Sequence, residues 1–196
     1  MASLAGTDQP RSPRMRPGTR RLVLALHVIV SVGALGVYLG LLTLAVAGLT
    51  TDDPERLRTA YTAMGIFADW LIIPVALAIL VTGVTLGLGT RWGLLRHYWV
   101  ATKLVLTLAL AVASIFGLRA RIHDAIDHLP AVSAGAGDVG SVGVLLVFLL
   151  PVALAVYITT TVLAIYKPWG MTRRARRLRR EAAGLGPGGS PRAPVD

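Results

Sequence analysis

Polar and apolar positions along this chain fall in long blocks and do not alternate. Four apolar runs, residues 22–49, 64–88, 98–118 and 142–166, stand out. Each matches or exceeds the ~20 residues needed to cross hydrocarbon as a helix. The predicted fold is therefore all-α, a four-helix transmembrane bundle over residues 19–170 with antiparallel-connected helices. The first run follows Arg20-Arg21 and contains Ala45-Val46-Ala47, which has the look of a signal peptide and its cleavage site. The apolar region of a signal peptide spans only about 7–15 residues, and this run is nearly twice that, so it reads as a retained helix. Pro168 breaks the last helix at "YKPWG" (166–170), where Tyr166, Lys167 and Trp169 suit a headgroup layer.

Composition sharpens the class. Of 196 residues, 54% are hydrophobic and 15% charged, with mean hydropathy +0.64; a soluble domain carries about 25% charged residues. There is no cysteine, which excludes disulfides, thiolate metal sites and covalent c-type haem attachment and leaves the redox compartment unreadable. A net charge of +10 suits either nucleic acid or anionic lipid, and the positions of the charges decide between them. Arg11, Arg14, Arg16, Arg20 and Arg21 precede the first run, Arg91 and Arg96 lie between the second and third, and Lys167 with seven arginines follows the fourth. The other two connections hold Arg56, Arg58, Arg119 and Arg121 beside six acids: Asp52, Asp53, Glu55, Asp124, Asp127 and Asp138. By the positive-inside rule both termini are cytoplasmic. The expected partners are the bilayer and, through the basic tails, anionic lipid headgroups; nucleic acid is not expected, and a homo-oligomer stays open.

The tails, residues 1–18 and 182–196, are rich in Pro, Gly, Ser and Arg and are predicted to be disordered, as is most of the basic tail from 171 on. "MTRRARRLRREAAGL" (171–185) reads either as a short basic helix along the inner leaflet or as a plain inside-retention signal. "RWGLLR" (91–96) and "PWGMTR" (168–173) set Trp92 and Trp169, Gly93 and Gly170, and Arg96 and Arg173 each 77 positions apart. Convergent anchoring at the inner interface explains this without duplication, and a duplicated helical hairpin is the alternative. Duplication would set His27 opposite Lys103, 76 positions on.

Two polar stripes support that juxtaposition. At 100° per residue His27, Ser31, Ala34 and Tyr38 share one face of the first helix. Gly33, Gly36 and Gly40 lie roughly opposite, and Gly36-x-x-x-Gly40 reads as a small-residue helix contact. On the third helix Lys103, Thr107 and Ser114 share a face, with Trp99 one turn before them. His27 lies six residues beyond Arg21 and Lys103 seven beyond Arg96, so both sit ~9–10 Å into the membrane. Two ionisable groups at one depth are better satisfied facing each other than facing lipid. The plainer alternatives are a Lys103 that snorkels to the inner headgroups and a His27 that only hydrogen-bonds a neighbouring helix.

Asp69 is the third intramembrane ionisable residue and shares a face with Ala76, Gly83 and Gly87. It suits an ion pair with Arg119 or Arg121, or a proton or cation site. In "RARIHDAIDHLP" (119–130), which continues the third helix beyond the membrane, His123/Asp127 and Asp124/His128 are each four apart. Such pairs can hold Zn²⁺ or Cu²⁺, or serve as helix-surface charge pairs beside Arg119 and Arg121. The chain has no Walker loop, dinucleotide fingerprint or zincin helix, and "GAGDVGSVG" (135–143) reads as a flexible connection.

The histidine of the first run, "RWGLLRHYWVATKLVLTL" entering the third and "YKPWG" closing the fourth resemble the bacterial integral-membrane family of unknown function DUF 2269, over about residues 20–170. That resemblance implies a bacterial inner-membrane location and this fold, but no reaction. More distantly, His27, Trp99 and Lys103 are similar to the pattern of two bacterial four-helix families, the copper-resistance D type and the HemJ type of protoporphyrinogen oxidase. The latter implies haem b held at His27, with Lys103 positioning an anionic group. The chain departs from it in lacking a second intramembrane histidine, and His97 is the other imidazole on that side. Three functions are thus expected to compete: a membrane protein of unassigned activity with a pocket between the first and third helices, a haem b redox protein, and a cation transporter or structural partner.

Overall fold

The computed structural model describes residues 15–89, 97–133, 139–166 and 176–177. Four long helices make up the fold, and no strand occurs among the described residues. We label them α1 (Pro17–Leu49), α2 (Pro54–Gly89), α3 (98–133) and α4 (Gly140–Tyr166). The anchors "RWGLLR" and "PWGMTR", almost all of the basic tail and residues 1–14 lie outside the described residues. α1 begins inside the stretch predicted as disordered, because Pro17 at its first turn has a preset φ and lacks an N–H the helix would leave unsatisfied.

α2 starts ten residues ahead of the predicted run, at Pro54 rather than residue 64. Asp53 caps it, its carboxylate accepting from the Glu55 N–H at 3.0 Å, and Pro54 occupies the first helical position. At 36 residues the helix is ~54 Å long, well over the ~30 Å of hydrocarbon. α3 likewise continues past its apolar run to Ser133, as predicted. The two overhangs pack together through buried Ile122, Ala125 and Leu129 of α3. Gly65 of α2 allows this approach, since a Cβ there would come 2.7 Å from Ile126 Cδ1.

Each of these helices contains a π-helical turn, Ala68–Ile72 in α2 and Ala113–Leu118 in α3. The first precedes Pro74, which lacks the N–H that would bond the Trp70 carbonyl in a regular α-helix. A wider turn also shifts the register, so a uniform 100° step no longer relates Asp69 to Ala76 and Gly83.

α1 packs on α2 and α4, and α3 packs on α2 and α4, so α1 and α3 run parallel across the diagonal. Met15 N–H donates to the Gly89 carbonyl at 3.4 Å. The start of α1, the end of α2, the start of α3 and the end of α4 therefore share one end of the bundle, the near end. The core fills the far half, where Leu41, Tyr61, Met64, Ile122, Leu146 and Leu150 are fully buried.

Around the outside, Leu22 (70% exposed), Ile29 (67%), Phe148 (69%) and Ile165 (69%) belong to a continuous apolar surface. Water-soluble monomers rarely present such a surface, and four helices are long and apolar enough to cross a membrane. The chain has the structure of a multi-pass membrane protein.

The Gly36-x-x-x-Gly40 contact expected from sequence is corrected. A Cβ at Gly33 or Gly36 would meet nothing within 4 Å, and at Gly40 only Phe67 at an ordinary 3.6 Å. The close approach lies about two turns beyond Gly40 along α1, at Gly48, where a Cβ would come 2.8 Å from the Tyr61 ring. Gly48 follows the buried face of Leu41 and Ala45, whereas Gly33 and Gly36 sit on the exposed face.

Candidate functional site

The near half of the bundle is not filled. α2 brings Gly83 and Gly87 to it and α4 brings Ala164, and these small residues leave a cavity of about 310 Å³ among α1, α2 and α3. That is at the lower edge of the ~300–1,000 Å³ typical of small-molecule sites. Its walls are apolar, with Leu24, Leu80, Val84 and Leu104 among them. Its polar lining comprises Arg20 and His27 of α1 and Trp99, Lys103 and Thr107 of α3. His27, Trp99 and Lys103, singled out on separate helices by their spacing, thus line one space.

His27 is half-buried and oriented by α2. Its Nδ1 lies 2.8 Å from Thr82 Oγ1, which lies 2.6 Å from the Ala78 carbonyl. Thr82 has one hydroxyl proton, and a carbonyl can only accept, so Thr82 donates to Ala78 and Nδ1–H donates to Thr82. In the neutral ring this leaves the acceptor lone pair on Nε2. Gly83 makes room for the imidazole, because a Cβ there would come 3.3 Å from His27 Cε1. Thr82 escaped the sequence reading, which placed Gly83 only on the face of Asp69; a threonine beside a glycine in an otherwise apolar run was the available signal.

The remaining stripe residues face inward too. Ala34 and Tyr38 are buried, and Ser31 Oγ donates to the His27 carbonyl at 2.7 Å, bonding its own helix rather than a partner. Tyr38 and Ser114 share a hydrogen bond across the diagonal. The Tyr38 ring also packs on Tyr157 of α4, with centroids 5.2 Å apart and planes at 57°. Tyr38, Tyr157 and Thr107 line a second void of about 10 Å³, so this aromatic layer closes the near-half cavity toward the core.

The charges of the far half make a separate cluster. Arg119 donates to Asp69 Oδ1 through Nε at 3.1 Å and through a terminal nitrogen at 2.7 Å. Of the two arginines offered by sequence, Arg119 is the partner; Arg121 pairs with Asp124 at 3.2 Å. His123 Nε2 is 3.4 Å from the same Asp69 oxygen, while its Nδ1 donates to the Arg119 carbonyl at 2.9 Å. His128 Nδ1 donates to the Asp124 carbonyl at 2.6 Å. Three members of the i,i+4 pairs His123/Asp127 and Asp124/His128 are thus directed to ion pairs and helix backbone, namely His123, Asp124 and His128. Among the described residues no group of three or more His, Cys, Asp or Glu side chains is arranged to hold a metal ion.

No family model matches the chain, and no curated protein or solved structure matches it either.

Proposed function

We propose that this chain is a bacterial inner-membrane protein that binds a ligand in the near-half cavity, with both termini and that cavity on the cytoplasmic side. One observation carries the reading: His27 and Lys103, ionisable residues on helices diagonal to each other, line the same space. The orientation rests on the basic residues at and beyond the near end, and the bacterial location on the resemblance to DUF 2269. A cation path through Asp69 is less well supported, because Arg119 already engages that carboxylate.

Occlusion tests the reading. In this cysteine-free chain, a Lys103→Cys thiol should react with N-ethylmaleimide in detergent. His27→Trp should fill the cavity from the opposite wall and slow that reaction sharply. An unchanged rate would separate the two residues and end the shared-site reading.

A haem b protein is the second reading, favoured by the bond that holds Nδ1 of His27 at Thr82 and leaves Nε2 as the ring's ligating nitrogen. The residues fit in part. His27 would supply one axial ligand, and Lys103 and Arg20 would offset carboxylates of the porphyrin, whose bound iron would supply redox chemistry. His97, at the N-cap of α3, does not line the cavity, so a second axial imidazole is missing. The absorption spectrum of protein purified from haem-replete cells tests this reading: it requires a Soret band that Thr82→Val weakens, and a featureless visible spectrum contradicts it.

A further inference from the structure

The near-half cavity has a charge imbalance that narrows its ligand. Arg20 and Lys103 line it, and among the described residues no acidic side chain does. The described acids are Asp52, Asp53, Glu55, Asp69, Asp124 and Asp127, all in the far half or beyond it. Among the described residues Lys103 makes no hydrogen bond or ion pair, although it is half-buried. An ammonium withdrawn from water is costly unless an opposite charge or hydrogen-bond acceptors meet it. The far half shows the contrast, since its intramembrane Asp69 is met by Arg119 at 2.7 Å. Among the described residues a counter-charge stands there and none stands beside Lys103.

The rest of the lining states what kind of anion fits. Leu24, Leu80, Val84 and Leu104 surround the cations with hydrocarbon, which disfavours a small hydrated ion and favours one attached to an apolar chain. Resting on the ligand-binding reading above, we propose that the cavity binds an anionic amphiphile. Its phosphate or carboxylate head lies between Lys103 and Arg20, and the first part of its tail lies along the leucine and valine walls. The aromatic layer of Tyr38 and Tyr157 sets how deep the molecule can enter.

Trp99 in the cavity wall provides the readout. The full chain in a neutral maltoside detergent is titrated with 9,10-dibromostearate, whose bromines quench indole fluorescence, and in parallel with its methyl ester. Saturable quenching by the acid is expected, absent in Trp99→Phe. The ester should bind about tenfold more weakly, the scale of one hydrogen bond to a charged group. Lys103→Met should weaken the acid to the ester's level, and Lys103→Arg should restore most of the loss. Equal affinity of acid and ester in the wild-type chain would overturn the proposal, and that arm needs no variant to fold. Displacement of the acid by millimolar inorganic phosphate would overturn it as well, by showing a free-anion site. If His27→Trp protects a thiol at position 103 while acid and ester bind alike, the shared cavity stands and only the anionic amphiphile falls.

Discussion

Tyr38 of α1 and Ser114 of α3 share a hydrogen bond across the diagonal of the bundle, 76 positions apart in the chain. The same separation relates His27 to Lys103, so the two parallel helices meet at equal depth twice. One meeting is the closed layer between core and cavity, and the other is the cavity itself.

The closed layer has a direction. Ser114 Oγ also donates to the Leu110 carbonyl at 2.6 Å, so its single proton is used and Tyr38 O–H is the donor between them. Tyr38→Phe should cost only the net worth of that bond, ~0.5–1.5 kcal/mol, whereas Ser114→Ala strands a buried donor at ~1–3 kcal/mol. Denaturation of both variants in the same detergent checks the order.

Tyr61 is fully buried, and among the described residues its hydroxyl has no partner. Tyr61→Phe should therefore raise the free energy of unfolding, by an amount on the order of 1 kcal/mol. Gly48→Ala should lower it by ~1–3 kcal/mol, because the new methyl meets the Tyr61 ring at 2.8 Å and that ring has nowhere to move. Gly36→Ala, facing open space, should be neutral or stabilising by up to ~1 kcal/mol. Equal losses at Gly36 and Gly48 would contradict the packing.

Far-half ion pairing gives an ordered series. Asp69→Asn removes the negative charge shared by Arg119 and His123 and should lower the unfolding midpoint more than Asp124→Asn, which loses only the charge facing the neighbouring Arg121 on the same helix. Surface pairs within one helix contribute little. A larger loss at Asp124 would put the structural weight on the wrong pair.

Much of this was legible in sequence for a simple reason: a membrane span declares itself by length and hydropathy, and the four runs became the four helices. The inward stripes were legible as well, because His27, Ala34 and Tyr38 repeat at helical spacing with no interruption in α1. Asp69 was harder. The π-helical turn at Ala68–Ile72 breaks the uniform step that face assignment depends on, and Pro74 was the one local sign of it. The extension of α2 to Pro54 was available in "TDDPER", where an aspartate precedes a proline and a glutamate, but the polar composition of that stretch hid a helix that projects beyond the apolar run. The glycine contact went astray because Gly36 and Gly40 match a spacing, while the choice of face depends on which residues the other helices bring. Thr82 reaches His27, and Arg20 reaches the cavity, through tertiary placement alone.

The proposed membrane orientation rests on the charge asymmetry and is open to labelling. Single cysteines replacing Thr51 and Ser133 should react with an impermeant thiol reagent in intact cells, and one replacing Gly93 should not. Reaction at Gly93 with silence at the other two would invert the protein.

The shared cavity of α1 and α3 is tested most directly by cross-linking. The double variant His27→Cys, Lys103→Cys carries the only two thiols in the chain, on helices that meet at this depth only across the cavity. A short bis-methanethiosulfonate reagent should join them within one chain. Protease cleavage between α1 and α3 should then leave the fragments linked until a reductant is added. Fragments that separate without reductant, after both thiols have been shown to react singly, would place the two faces apart and contradict the account.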